Sequence, residues 1–152
     1  MPSTMYWQAV RGAVHVVVHT PQDPSDEDWQ AYLEDVTKHA AKIKGILVYT
    51  QRTGPSASQR AASNKAFSET NGDMKVAIMT SSRMTKGIVT ALSWVVGGNI
   101  KAFSTKDFQG AVASLGLDYE ETLHAKVALK TLARAAGISI DAFADESGRY
   151  QR

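Results

Sequence analysis

At 152 residues, 43% hydrophobic and 21% charged, the chain has the proportions of one globular domain, long enough to bury a core without disulfides or metals. The absence of cysteine excludes a disulfide framework, thiolate zinc sites, iron–sulfur clusters and a cysteine nucleophile. A net charge of +2, spread without a basic run, gives no footprint for nucleic acid, and apolar runs no longer than a strand give no membrane span. MPSTMYWQAVRG lacks a charged segment leading into an apolar one, so no secretory signal is read and a cytoplasmic protein is the expectation.

Met5 to Val10 reads as a first short strand, turned by Arg11-Gly12 into Ala13 to His19. AVHVVVH alternates, with Val14, Val16 and Val18 on one face and His15, Val17 and His19 on the other, which predicts one apolar and one mixed face. After a loop with two prolines, Ser25 or Asp26 can cap a helix whose Trp29, Tyr32, Leu33, Val36, Ala40 and Ile43 form a stripe; Gly45 can stop it.

Ile46 to Thr50 is a continuous apolar strand, broken by Gly54-Pro55 before a helix over Ser56 to Thr70 that ends at Asn71-Gly72-Asp73. Lys75 to Thr80 is the next strand. Ser81-Ser82 precede a helix carrying Met84, Ile88, Val89, Leu92, Val95 and Val96, closed by Gly97-Gly98. Ile100 to Phe103 is a last short strand, followed by a Thr105-capped helix with Phe108, Ala111, Val112 and Leu115. A longer helix, 118–136, carries Tyr119, Leu123, Val127, Leu132 and Ala136, and residues 138–152 read as an irregular tail. The alternation predicts a single α/β domain over 1–137: a mixed, mostly parallel sheet of four to five strands, helices packed on it, and an extra C-terminal helix.

This layout, with Trp29, Tyr32 and Leu33 on the first helix and the stretches GILVYTQRTGPSASQR, KVAIMTSS, LSWVVGG and IKAFSTKDFQGAVASLGL, resembles the SpoIIAA-like, or STAS-type, domains and their SEC14-type fold relatives over about residues 6–117. Family members that antagonise anti-sigma factors carry an Asp-Ser-Ser-Gly-like stretch whose serine is phosphorylated at a helix N-terminus, controlling binding to a partner kinase. The corresponding turn here is Thr53-Gly54-Pro55-Ser56-Ala57-Ser58, which matches in position and not in motif. The resemblance implies a non-enzymatic regulatory or scaffolding module that binds a protein partner and is switched by serine phosphorylation. Its SEC14-type side implies the alternative, a domain for an anionic or lipid-like small ligand.

Ser56 and Ser58 are the sharpest candidates for a phosphorylation or anion site, because a helix start offers unpaired N–H groups and partial positive charge. The plain structural role for either is to cap the helix. Arg52, Thr53, Gln59 and Arg60, with Ser81, Ser82 and Arg83 after the next strand, would rim the same carboxyl edge and form the partner or ligand surface. No GxGxxG or GxxxxGKS fingerprint points to a nucleotide, and no GxSxG elbow to a hydrolase, so no cofactor and no catalytic residue are assigned. His15, His19, His39 and His124 lack a metal-ligand spacing. Trp94, with Val95 and Val96, is either core or an apolar patch for a partner. The helix over 118–136, apolar on one side with Lys126, Lys130 and Arg134 on the other, either packs on the sheet or joins two copies as a homodimer.

Overall fold

The computed structural model describes residues 3–10, 12–51, 54–68, 74–81 and 99–143. Five strands form one sheet in the order of the chain: β1 (Met5–Val10), β2 (Val14–His19), β3 (Gly45–Thr50), β4 (Lys75–Thr80) and β5 (Ile100–Phe103). β1 is antiparallel to β2, and β2 through β5 run parallel. This is a single α/β domain with a mostly parallel sheet, as the alternation of elements predicts. Helices α1 (Asp26–His39), α2 (Ala57–Ser68), α3 (Phe108–Ser114) and α4 (Tyr119–Ala136) cover it.

The period of two along each strand divides the core. Val14, Val16, Val18, Leu47, Tyr49, Ala77 and Met79 point to one side, where α3 and α4 bring Phe108, Val112, Ala125, Leu129 and Leu132. Val17, Ile46, Val48, Val76 and Ile100 point to the other, where α1 brings Trp29, Tyr32, Leu33 and Val36 and α2 adds Ala62 and Ala66. Full burial of each valine or leucine in these layers contributes about 1.5–3 kcal/mol. Because both faces are covered, β2 and β3 are buried at every position.

The mixed face expected of β2 is therefore not a wet one. His15 and His19 lie under α1, at 0% and 4% exposure.

Local chemistry sets the helix ends. Ser25 caps α1 by accepting from the Asp28 N–H, and the regular helix stops at His39, with Ala40–Lys42 tightening into a 3₁₀ turn. Gly45 does not end that helix but opens β3. A Cβ there would lie 2.6 Å from the Lys75 carbonyl oxygen and 2.7 Å from Leu115 Cδ2, so close strand packing requires glycine.

Asp107, not Thr105, caps α3, accepting from the Gly110 N–H, while Thr105 is buried in the preceding turn. Asp118 and Glu121 form a reciprocal capping box at the start of α4, and Gly137 ends it at φ 73°.

Two expectations for the C-terminal part change. Leu132 is buried and Ala136 packs against the core, but Tyr119, Leu123 and Val127 face outward at 79%, 42% and 63% exposure; Ala125, Ala128, Leu129 and Ala133 fill the inner face with Leu132. Beyond Gly137 the chain returns to the core, where Ile140 and Phe143 are buried and the Phe143 ring meets Phe108 edge-on at 5.1 Å. The helix expected around Met84–Val96 with Trp94, the Asn71-Gly72-Asp73 stop and the segment from Ala144 on lie outside the described residues.

Candidate functional site: the carboxyl edge of the sheet

Strands β3 and β4 are paired in register from Gly45 with Lys75 to Thr50 with Thr80, so the turns that follow them emerge side by side. Ser81 Oγ donates to the Gln51 carbonyl at 2.8 Å, tying the two turns together. Gln51 Nε2 in turn donates to the Ser139 carbonyl at 3.3 Å, which anchors this edge to the segment after α4.

Ser56 and Gln59 open α2 as a capping box. The Gln59 N–H donates to Ser56 Oγ at 3.2 Å and the Ser56 N–H donates to Gln59 Oε1 at 3.0 Å. Ser56 thus has the capping role, and its two partners account for part of what the helix start would offer an anion.

Ser58, one step into the helix, is exposed, and its Oγ lies 3.2 Å from Ser56 Oγ. Arg60 folds back and donates from Nη1 to the Pro55 carbonyl at 3.0 Å. Of the sequence-predicted edge, the structure brings together Ser56, Ser58, Gln59 and Arg60 at one turn and Ser81 at the next. Arg52, Thr53, Ser82 and Arg83 lie outside the described residues.

Gln59 does more than rim the site. It is buried, and Nε2 donates to the Pro24 carbonyl and to Asp26 Oδ1, both at 2.9 Å, joining α2 to the loop that enters α1. Its carbonyl accepts from Trp29 Nε1 at 3.1 Å, with Ser63 Oγ a second acceptor at the same distance. The turn bearing Ser56 and Ser58 is therefore fixed to the body of the domain. The Ser-x-x-Gln spacing carries the signal for the capping box; nothing in sequence points to the reach across to Pro24 and Asp26.

The other polar cluster lies beneath α1. His15 Nε2 is 2.8 Å from Asp35 Oδ2, and since a carboxylate only accepts, the imidazole donates there. Its Nδ1 is buried without a partner among the described residues. Burial lowers the His15 pKa, and the hydrogen bond to Asp35 opposes that shift. His39 Nδ1 donates to the Asp35 carbonyl at 2.9 Å.

His19 stacks on Trp29 with ring centres 6.1 Å apart, and burial alone pulls its pKa down to about 4. Burial likewise pushes the Tyr32 hydroxyl up. His15 and Asp35 have the composition of a catalytic dyad, but the ring is fully buried against Tyr32, so a substrate has no access to it. Among the described residues no group of three or more histidines and carboxylates is disposed to hold a metal ion.

Two concavities are described away from the carboxyl edge. An open groove of about 650 Å³ between α1 and α2 is lined by Leu33, Ala62 and Ala66 with Gln30, Glu34, Thr37, Lys38 and Lys65. A smaller one, about 160 Å³, lies at the amino ends of β4 and β5, beside Lys75, Asn99 and Lys101. No described helix is long and apolar enough to cross a membrane. Comparison of the chain with protein-family models, curated proteins and solved structures gives no match.

Proposed function

We propose that the chain is a non-enzymatic, STAS-like regulatory module of the cytoplasm that binds a protein partner through the carboxyl edge of its sheet and is switched at Ser58. The sheet order, with an antiparallel first strand followed by parallel ones, supports the STAS-like part. The observation that carries the binding reading is the exposed hydroxyl pair of Ser56 and Ser58, held on a turn fixed by Gln59. That turn sits on the edge where Ser81 ties β4 to β3.

The two serines have different duties. Ser56 Oγ is already an acceptor within the cap, so a phosphate there would act on the capping box itself. Ser58 lies in the first turn of α2, where added negative charge meets the positive end of the helix dipole, and its Oγ is not an acceptor in the Ser56–Gln59 capping box. A rigid surface whose charge changes by about −2 at one exposed point suits the gating of a protein–protein contact better than catalysis.

The test is affinity capture from the native cells with the wild-type chain, Ser58→Ala and Ser58→Asp, joined to intact-mass measurement of the recovered chain. The expected result is a recurrent protein bound by wild type and Ser58→Ala and released by Ser58→Asp, or the reverse, with an added phosphate mapped to Ser58. Equal capture by all three and an unmodified mass would reject the switch; a chain recovered alone would reject the module.

A further inference from the structure

The two edges of the sheet differ. β5 is four residues long and carries exposed Lys101, a length and a charge that discourage pairing with a further strand. β1, at the other edge, runs for six residues, MYWQAV, without a charge or a proline.

Backbone parity shows what β1 offers. The Thr4 carbonyl accepts from the Thr20 N–H and the Val10 carbonyl from the Ala13 N–H, so even-numbered residues turn their N–H and C=O toward β2. Met5, Trp7 and Ala9 turn theirs away, and no described residue bonds those of Trp7 and Ala9. Met5 is 1% exposed, whereas Gln8 is exposed and Trp7 and Ala9 are half-buried, so the open stretch is centred on Gln8.

We propose that this edge joins two copies of the chain, β1 pairing antiparallel with its counterpart about a two-fold axis at Gln8, so that the two sheets become one. Trp7 of each copy then exchanges backbone hydrogen bonds with Ala9 of the other, a large side chain beside a small one. Gln8 faces Gln8, and each amide has both a donor and an acceptor for its mate. A two-fold axis sets residues against their own kind, so a charge near it would meet its like. β1 has none, and it supplies its own complement.

The helix layer agrees. α4 lies over β1 and β2. On one flank its Lys126 and Lys130 sit over the Phe143 ring, which meets Phe108 of α3, so that flank faces α3. The opposite flank, with exposed His124, Thr131 and Ala135, therefore looks out past β1, and it holds no lysine, arginine or carboxylate. With strands about 4.8 Å apart, a helix seated over β1 and β2 comes to about 10 Å from its two-fold mate, the spacing of packed helices.

A band as long as α4, about 27 Å, and about 15 Å deep from helix to strand is roughly half of the ~800 Å² per partner of a standard interface. The dimer is accordingly a weak one that forms with rising concentration. The inference does not rest on the partner edge at Ser58, which lies on other elements.

The absence of cysteine allows a direct test. Opposed residues of a non-hydrogen-bonded antiparallel pair have Cα atoms about 4.5 Å apart, within disulfide range, so Gln8→Cys reports the axis. Under mild oxidation Gln8→Cys should form a covalent dimer about tenfold faster than Lys101→Cys, an exposed control on β5, because dimerisation raises its effective concentration.

Sedimentation equilibrium of the wild-type chain from roughly 10 μM to 1 mM should show a monomer–dimer equilibrium. Ala9→Pro removes an N–H that points away from β2, so it should abolish the dimer with unchanged circular dichroism. Gln8→Lys, which sets two ammonium groups at the axis, should also abolish it, and mixing Gln8→Lys with Gln8→Glu should restore a mixed dimer. Equal cross-linking at positions 8 and 101, a monomer throughout that range, or a dimer indifferent to both Ala9→Pro and Gln8→Lys would overturn the proposal. So would a monomeric chain whose β1 amides gain hydrogen-exchange protection only from a different bound protein, which would assign the edge to that protein.

Discussion

Acidification should weaken the domain through His19 in a manner that one substitution isolates. The ring is buried against Trp29, and burial holds its folded-state pKa at about 4 against an ordinary 6.5. Protonation is thus easier in the unfolded chain, and the sign follows: stability is whole above the unfolded value and is lost as pH falls from about 6.5 toward 4. At about pH 5 the unfolded imidazole is nearly all charged and the folded one nearly all neutral, a loss of about 2 kcal/mol relative to about pH 7.5.

His19→Phe keeps an aromatic ring against Trp29 and removes the titration. Urea unfolding of wild type and variant at the two pH values is the assay. With a slope of about 2 kcal/mol per molar, the wild-type midpoint should fall by about 1 M more than that of the variant. His15, also lowered by burial, adds a loss of the same sign to both proteins and cancels in the difference. Asp28 titrates below this window, since hydrogen bonds from Thr4 hold its carboxyl below its ordinary value. Equal midpoint shifts in wild type and His19→Phe would refute the reasoning.

Three substitutions probe the rest of the framework by equilibrium unfolding at neutral pH. Gly45→Ala forces a Cβ onto the Lys75 carbonyl and Leu115 and should cost about 1–3 kcal/mol, although alanine is otherwise the milder strand residue. Gln59→Ala leaves the Pro24 carbonyl and the Ser56 N–H without their partner and should cost about 2 kcal/mol, with faster hydrogen exchange at the start of α2. Asp35→Ala strands buried His15 Nε2 and should cost about 1–3 kcal/mol.

The mostly parallel sheet was legible because β2, β3 and β4 are short β-branched runs, each with a turn signal after it and a helical pattern beyond. The inner face of α1 was equally plain from Trp29, Tyr32, Leu33 and Val36. Alternation along β2 separates its two faces but carries no information on what covers them, and so His15 and His19 read as a polar face. What buries them is α1, whose Asp35 lies 20 residues from His15 and whose Trp29 lies ten from His19.

In α4 the apolar residues occupy two faces; the sequence reads Tyr119, Leu123 and Val127 as one stripe with Leu132 and Ala136 and leaves open whether it meets the sheet or a second copy. The helix lies close to the sheet, where the small residues fit. At the carboxyl edge, the placement of Ser56, Ser58 and Ser81 followed from the strand-turn-helix rhythm. The burial of Gln59 did not, since its long-range bonds depend on how two helices meet.

The most direct test of the partner edge is hydrogen exchange on the chain alone and with its captured protein. The account predicts added protection at residues 49–51, 56–60 and 79–81, lost in whichever Ser58 variant fails to bind. Protection confined to the α1–α2 groove or to α4, with the Ser58 turn exchanging as in the free chain, would contradict it.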